Sequence, residues 1–331
     1  MRHTTWATRR QTVNHRLTRR GALQTFGVVG ASTLLAGATW AQPAPAAATK
    51  GTRLVLLGTK GGPRVGGTRS NPANLLMVDG VPYVIDCGYG VAGQVVRAGV
   101  PLNQLRDIFI THMHSDHNLE LGELIYSAWA TGLKTPVTVY GPPTADAALR
   151  AFFDQYMKTD IEIRIGDEGK PDLRKLVKAQ IMDHDGVVLR NDQLTVTAVR
   201  NIHPPFEYSY ALRFDTRDRS IVLSGDTNYS EAVVKLAKGA DLLVHEALYV
   251  PGVDAMVKRV PNASSLREHL LASHTTTEDV GRVAAEAGVK KLALSHLVPG
   301  DDPSITDEMW LEGVRKHYKG DVVVGKDLMV L

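Results

Sequence analysis

The chain has a single cysteine, Cys87, so no intramolecular disulfide can form. It has no internal repeat of about 20–50 residues, which excludes a solenoid or propeller array. Acid is missing altogether from residues 1–41, where six arginines stand unopposed. Removing them turns the net charge of +3 into −3 for the rest of the chain. A slightly acidic body gives no electrostatic reason to expect nucleic acid as a partner. What remains, 44% hydrophobic and 22% charged residues over 331 positions, fits a soluble globular protein with room for one large domain or two.

Charge is also absent from Gly21 to Thr49, just after Thr18-Arg19-Arg20. A basic stretch, a weakly apolar stretch and small residues (Ala36-Gly37-Ala38, Ala41-Gln42) are the three zones of a bacterial export signal. The paired arginines resemble a twin-arginine signal, although Ala22 stands where that motif has a large apolar residue. We therefore expect an export signal at 1–41, a Pro/Ala-rich linker at 42–51 and one domain at 52–331. The expected location is periplasmic by the twin-arginine route, with no stable membrane association after cleavage. An uncleaved anchor is the alternative, for which the segment is barely long and apolar enough.

Strand patterns follow at 52–59, on both sides of the hairpin signal Asp79-Gly80, at 107–111 and at 135–141. Helical patterns lie at 91–99, 118–131 and 144–157. Residues 159–192 read as a surface excursion. A second set of strands at 193–199, 208–214, 220–226 and 241–247 precedes an irregular polar stretch, 249–272, that could be a lid. A helix at 276–288, a strand at 291–295, a helix at 305–317 and two strands close the chain. Two strand-rich halves, each followed by helices, point to an α/β domain with two central sheets and helices outside.

The densest chemistry is "THMHSDH", which places His112, His114, Asp116 and His117 within six positions at the end of an apolar strand. Such groups repel when charged and cost desolvation when buried, so a metal cation is the natural reason for them. On an extended segment His112, His114 and Asp116 share a side while His117 diverges, which suits two ions better than one. As a helix N-cap, Asp116 would need no metal. His203, Asp226 and His296 also sit at the ends of apolar strands.

The ordered set "THMHSDH", "NIHPP", "SGDT" and "LSH" resembles the metallo-β-lactamase superfamily, and within it the branch of RNase Z and the periplasmic arylsulfatases. The resemblance spans about residues 52–331. It implies an αββα sandwich of two mixed β-sheets with helices on the outer faces, and a binuclear site. By it, His112, His114 and His203 hold one zinc, Asp116, His117 and His296 the other, and Asp226 bridges. Iron or manganese also suits such donors. Asp86 in "VIDCG" then supports the ligand loop, with a turn aspartate as the bland alternative. His274 in "ASHTTTEDV" resembles the branch's catalytic histidine, its bland alternative being a helix-start residue with its ring in solvent. Glu246 in "VHEAL" resembles a supporting acid. Glu120 departs from the usual glycine after the Asp-His pair.

Only 23 positions separate His203 from Asp226, where RNase Z carries its tRNA-gripping arm. The arm is absent. The expectation is therefore an exported binuclear zinc hydrolase that cleaves a small anionic ester, an aryl sulfate or a phosphodiester, with a zinc-activated water. Asp116 and His274 are its catalytic residues. The partner is that ester rather than nucleic acid, and a homo-oligomer is compatible with this. Arg259, Arg267 and Lys258 could meet the anion or simply be solvated. The alternatives are a lactonase or phosphotriesterase on the same site, a tRNA 3′-processing endonuclease, and a non-catalytic metal-binding protein.

Overall fold

In the computed structural model, residues 50–261 and 263–331 are described, and they all fall in one compact unit. The expected export signal at 1–41 and most of the 42–51 linker lie outside the described residues. Among the described residues no helix is long and apolar enough to cross a membrane.

The described residues form fourteen strands in two seven-stranded sheets. The first contains β1 (Thr52–Gly58), β2 (Ala73–Val78), β3 (Val81–Ile85), β4 (Asp107–Phe109), β5 (Val137–Gly141) and β6 (Val177–Ile181). The second contains β7 (Gly186–Arg190), β8 (Leu194–Arg200), β9 (Tyr210–Thr216), β10 (Ser220–Leu223), β11 (Leu242–Leu248), β12 (Lys291–Val298) and β13 (Asp321–Val324). A short last strand, β14 (Met329–Val330), returns to the first sheet beside β1. Both sheets are mixed. From β14 to β3 and from β7 to β10 neighbours are antiparallel; from β3 to β6 and from β10 to β13 they are parallel.

The alternation of β1 sorts the layers. Leu54 and Leu56 point into the core between the sheets, while Val55 and Leu57 join the core on the outer face. Helices α1 (Val91–Arg97), α2 (Ser115–Asn118), α3 (Leu121–Ala130), α4 (Ala145–Arg150), α5 (Lys158–Glu168) and α6 (Leu173–Leu176) belong to the first half. Val91 and Val95 of α1 and Leu121, Leu124 and Ala128 of α3 cover the first sheet. Helices α7 (Glu231–Leu236), α8 (Val250–Val257), α9 (Ala263–Ser273), α10 (Thr277–Ala287) and α11 (Asp307–Arg315) follow. Val280, Val283 and Ala284 of α10 and Trp310 and Val314 of α11 cover the second sheet. Between the sheets, Phe109 of β4 stacks on Tyr140 at 4.7 Å and meets Phe214 of β9 edge-on at 5.4 Å. The architecture is the expected αββα sandwich.

Three segments differ from the sequence reading. Residues 159–192 hold α5, α6, β6 and β7 rather than a surface excursion. The polar stretch 249–272 is two helices, α8 and α9, which bury Leu248, Val253, Val257, Leu270 and Val298 in a cluster of their own. A short helix, α7, starts at Ser230, whose side chain accepts the Val233 N–H.

Candidate metal centre

Because β9 is antiparallel to both β8 and β10, those two run in the same direction, which β11 and β12 share. Their carboxyl ends, with that of β4 from the other sheet, carry the candidate residues. This is the usual place for a site in an open α/β sheet.

Three ring nitrogens converge first. His114 Nδ1 lies 3.0 Å from His112 Nε2 and 3.0 Å from His203 Nε2. Each outer ring has its other nitrogen committed as a donor. Thr111 Oγ1, whose one proton goes to Asp86, accepts from His112 Nδ1 at 3.1 Å. The Ser273 carbonyl accepts from His203 Nδ1 at 2.8 Å. The Nε2 lone pairs of His112 and His203 therefore both face His114 Nδ1, which has at most one proton to offer, so this set of nitrogens is better satisfied by a cation between them. Donors about 2.0–2.1 Å from a tetrahedral ion stand roughly 3.3 Å apart, so the triangle has the right size. Asp226 Oδ2 lies 3.8 and 4.0 Å from His112 and His203 Nε2 and completes the set.

Asp116, His117 and His296 form the second group. His117 Nδ1 donates to Asp86 Oδ2 at 2.8 Å, and its buried Nε2 has no hydrogen-bond partner. The same Asp226 Oδ2 is 3.3 Å from His117 Nε2 and 3.0 Å from His296 Nε2, so one carboxylate faces both groups. These donors fit two cations. Asp116 is not a helix N-cap, and it does not side with His112 and His114 as a fully extended loop would require. The chain turns helical at Ser115, which swings Asp116 and His117 to the second group together.

His296 is aimed by a bulge. Ser295 pairs with Glu246 and Leu297 with Ala247, which leaves His296 as the extra residue at φ +43°. A left-handed non-glycine residue costs on the order of 1–3 kcal/mol, and such strain collects at functional sites. A Cβ on Gly61 would lie 2.7 Å from His296 Nδ1, so only glycine lets that loop pass. The next residue, Gly62, donates its N–H to Asp116 Oδ2 at 2.9 Å. Lys60, buried, holds the loop by donating from Nζ to the carbonyls of Arg64 and Gly66.

The electrostatics divide the rings. Burial, with the neighbouring imidazoles, lowers His112 well below its ordinary value and His114 to about 4, so both are neutral and ready to coordinate. Burial opposes charge at His296 too, but attraction by Asp226 outweighs it and raises the ring to about 10; His117 is raised for the same reason. Burial would raise Asp116, yet His117 and His296 hold it down at about 2.

The supporting residues fall close by. Asp86, at φ +63°, accepts the Thr111 N–H at 2.8 Å as well as the His117 ring N–H. Glu246 Oε1 accepts from His274 Nδ1 at 3.0 Å and from the Thr227 and Thr275 N–H groups at 3.0 and 3.2 Å. His274 is only 6% exposed and stacks over His296 at 5.5 Å, so its ring does not sit in solvent. The helix start is Thr276, whose side chain accepts the Asp279 N–H. Glu120 replaces the usual glycine without disturbance because its carboxylate accepts the Gly90 N–H at 2.8 Å. Sequence reasoning passed over Thr111, Ser273, Phe206 and His269: Thr111 and Ser273 stand inside the quoted motifs "THMHSDH" and "ASHTTTEDV" but carry no ligand chemistry of their own, and Phe206 and His269 lie outside the motifs.

Comparison with known proteins supplies the relatives. Residues 52–283 match the family described as "Anti-Pycsar protein Apyc1". A protein of Mycobacterium sp. (strain KMS) named Ribonuclease Z is 30% identical over 278 residues, covering 83% of this chain and 94% of that protein. The metallo-β-lactamase-fold protein YhfI of Bacillus subtilis superposes with a TM-score of 0.62 at 21% identity, over 85% of this chain and 98% of its own. The short form of human tRNase Z gives 0.59 at 22% identity, over 84% and 98%.

These relatives correct two expectations. The strands β9 and β10 do fill the interval from His203 to Asp226, but the missing arm does not set this chain apart from ribonuclease Z. The mycobacterial protein is matched over 94% of its length, in an alignment of 278 positions that spans 83% of 331 residues, which leaves no space for an inserted arm. The reading as a small-ester hydrolase, arylsulfatase-like and closed to nucleic acid, is overturned by the same near full-length match to ribonuclease Z. Its error was to treat the net charge of the body as if it described the site, when a net charge averages over the whole surface. The protein is a metal-dependent hydrolase: its chain belongs to the family of the anti-Pycsar protein Apyc1 and, with ribonuclease Z, to the metallo-β-lactamase fold.

Proposed function

We propose that this protein is an RNA phosphodiesterase of the ribonuclease Z kind, which cuts precursor tRNA at the start of its 3′ trailer. The near full-length match to a curated ribonuclease Z carries this reading. We assign the cations as zinc, because five imidazoles and two carboxylates divided between two groups match its preference for nitrogen and oxygen donors at low coordination number. Bound there, two such ions activate a water and neutralise charge on the phosphate oxygens.

The chain's own residues do the rest. Asp116, fixed by the Gly62 N–H, accepts a hydrogen bond from the attacking water and orients it. Glu246 takes the Nδ1–H of His274, which fixes the ring and leaves Nε2 as the edge that can serve substrate. His274 then delivers a proton to the departing ribose oxygen, a poor leaving group for which general acid catalysis counts most. Asp86 and Ser273 hold His117 and His203 with Nε2 inward.

The test is cleavage of a 5′-labelled precursor tRNA by metal-loaded protein, with a small phosphodiester run beside it. A single cut at the trailer junction, abolished by chelator and by Asp226→Ala, is the expected result. Hydrolysis of the small diester with intact tRNA would overturn the RNA reading. Location is a second test, since export at 1–41 would part the enzyme from cytoplasmic precursors.

A further inference from the structure

The mouth of the metal centre is bordered by a stretch to which no role has yet been assigned. After His203 the chain reads Pro204-Pro205-Phe206-Glu207-Tyr208 before β9 begins. The Phe206 ring stands edge-on to His114, with centroids 4.5 Å apart at 83°, and parallel to the His203 ring at 6.2 Å and 3°. It is half-buried, while Pro204, Pro205 and Ile202 beside it are exposed. Of the seven ligand candidates, His114 alone is not buried, so the centre opens to solvent on that residue's side. The His269 ring of α9, exposed, also borders His114, at 6.5 Å and 84°.

This rim is held firmly. The Ser273 hydroxyl donates to the Pro204 carbonyl at 3.0 Å, and the Ser273 carbonyl takes the His203 N–H. Asn228 Nδ2 donates to the carbonyls of Leu271 and Ala272 at 3.0 and 3.1 Å, which fixes the end of α9. Loop 203–208 and α9 are thus tied to each other and to the ligand His203. The result is a fixed, partly exposed aromatic ring set directly against two candidate ligands, His114 and His203. A phosphodiester in an RNA chain carries a nucleobase on either side. Unpaired bases are recognised by stacking on aromatic side chains, which tolerates any sequence because every base has a π-face.

We propose that Phe206 is a nucleobase platform: the base of a nucleotide flanking the scissile phosphate stacks on its open face and sets the register of cleavage. The proposal rests on the RNA reading above. It concerns an unpaired base, and so it favours cutting beside a single-stranded nucleotide such as the first of a trailer.

The experiment compares kcat/KM for a normal precursor with that for precursors carrying an abasic residue, placed in turn on each side of the scissile bond. It uses wild type, Phe206→Ala and Phe206→Trp. Stacking on an aromatic residue corresponds to roughly 5- to 150-fold per base. Wild type should prefer the normal over one abasic substrate by a factor in that range. The Ala variant should show a ratio near 1 for the same pair, and Trp should restore the preference. A ratio does not depend on whether Phe206→Ala also disturbs the ligand imidazoles, and bound metal per chain reports any such disturbance separately. If Phe206→Ala keeps the wild-type ratio for both abasic positions, Phe206 only buttresses the histidines and the platform is refuted while the RNA reading stands. Wild-type protein that hydrolyses a small diester but no RNA overturns the RNA reading and the platform together.

Discussion

Replacing Asp86 by Asn separates the geometry of the ligand loop from its backbone. Asp86 is 3% exposed, at φ +63°, and three donors reach its carboxylate: the Thr111 N–H, the Thr111 hydroxyl and the His117 Nδ1–H. Asn tolerates the left-handed region, so the turn should persist. Its amide, however, has one accepting and one donating end. If the oxygen faces Thr111, the NH2 group meets the His117 N–H, donor against donor. The histidine can answer only by moving its proton to Nε2, which takes the lone pair away from the centre. Loss of such a supporting partner weakens metal binding about 10- to 100-fold, or about 1.4–2.7 kcal/mol. Asp86→Ala is the harsher change. It leaves three buried donors without their acceptor, at about 1–3 kcal/mol for each that finds no other, and adds about 1–2 kcal/mol of left-handed strain, a large part of a typical stability of about 5–15 kcal/mol. Titration of metal-free Asp86→Asn against a chromogenic chelator should show the affinity for one of two ions reduced by that factor. The thermal midpoint of the metal-free protein should fall by only a few degrees. Unchanged affinity, or a loss of affinity fully accounted for by unfolding, would refute the reasoning.

Three further outcomes are expected. His274→Ala should lower the rate of RNA cleavage about 10²- to 10⁴-fold, with a much smaller loss on p-nitrophenyl diesters whose leaving group needs no proton; equal losses in stopped assays would make His274 an anion binder instead. Metal affinity should climb as pH rises from 7 toward 10, because His117 and His296 are raised, the latter to about 10, and must release protons to coordinate. The linked sign for the metal-free protein is that the contribution of His296 to stability is full below about 6.5 and is lost as pH rises through about 10, which thermal melts across that range would check. If residues 1–41 are a twin-arginine signal, changing Arg19 and Arg20 together to Lys should hold precursor in the cytoplasm, and normal export in fractionated cells would refute that route.

The ligands were legible because each stands at the end of an apolar strand, where a histidine or aspartate has little other reason to follow an Ile or Leu run. The bulge that aims His296 was not, since nothing in "LALSHLV" marks an extra residue. Helix α5 misled for a definite reason. In "DIEIRIGD" apolar and polar residues alternate without helical spacing, so 159–192 read as a surface excursion, and only Ile161 of the helix is buried. Ile161 and Ile165 pack on the outer core, and helical spacing adds the pairs of Arg164 with Asp160 and Glu168 and the left-handed cap at Gly169. The acids that hold His117 and His274 were visible only through resemblance, because the contacts span 31 and 28 positions.

The two sheets repeat one order of pairings, three antiparallel and then three parallel, and the candidate ligands come from both: four from the loop after β4, three from the second half. In that respect the centre resembles a site at the boundary of a dimer. Here the two partners are joined in one polypeptide, so each meets the other at an effective concentration set by the chain and not by the solution. Every ligand in the two groups is supplied by the same molecule. Completing the ligand set is therefore a first-order event, and dilution, which would dissolve a site shared between separate chains, leaves this one whole.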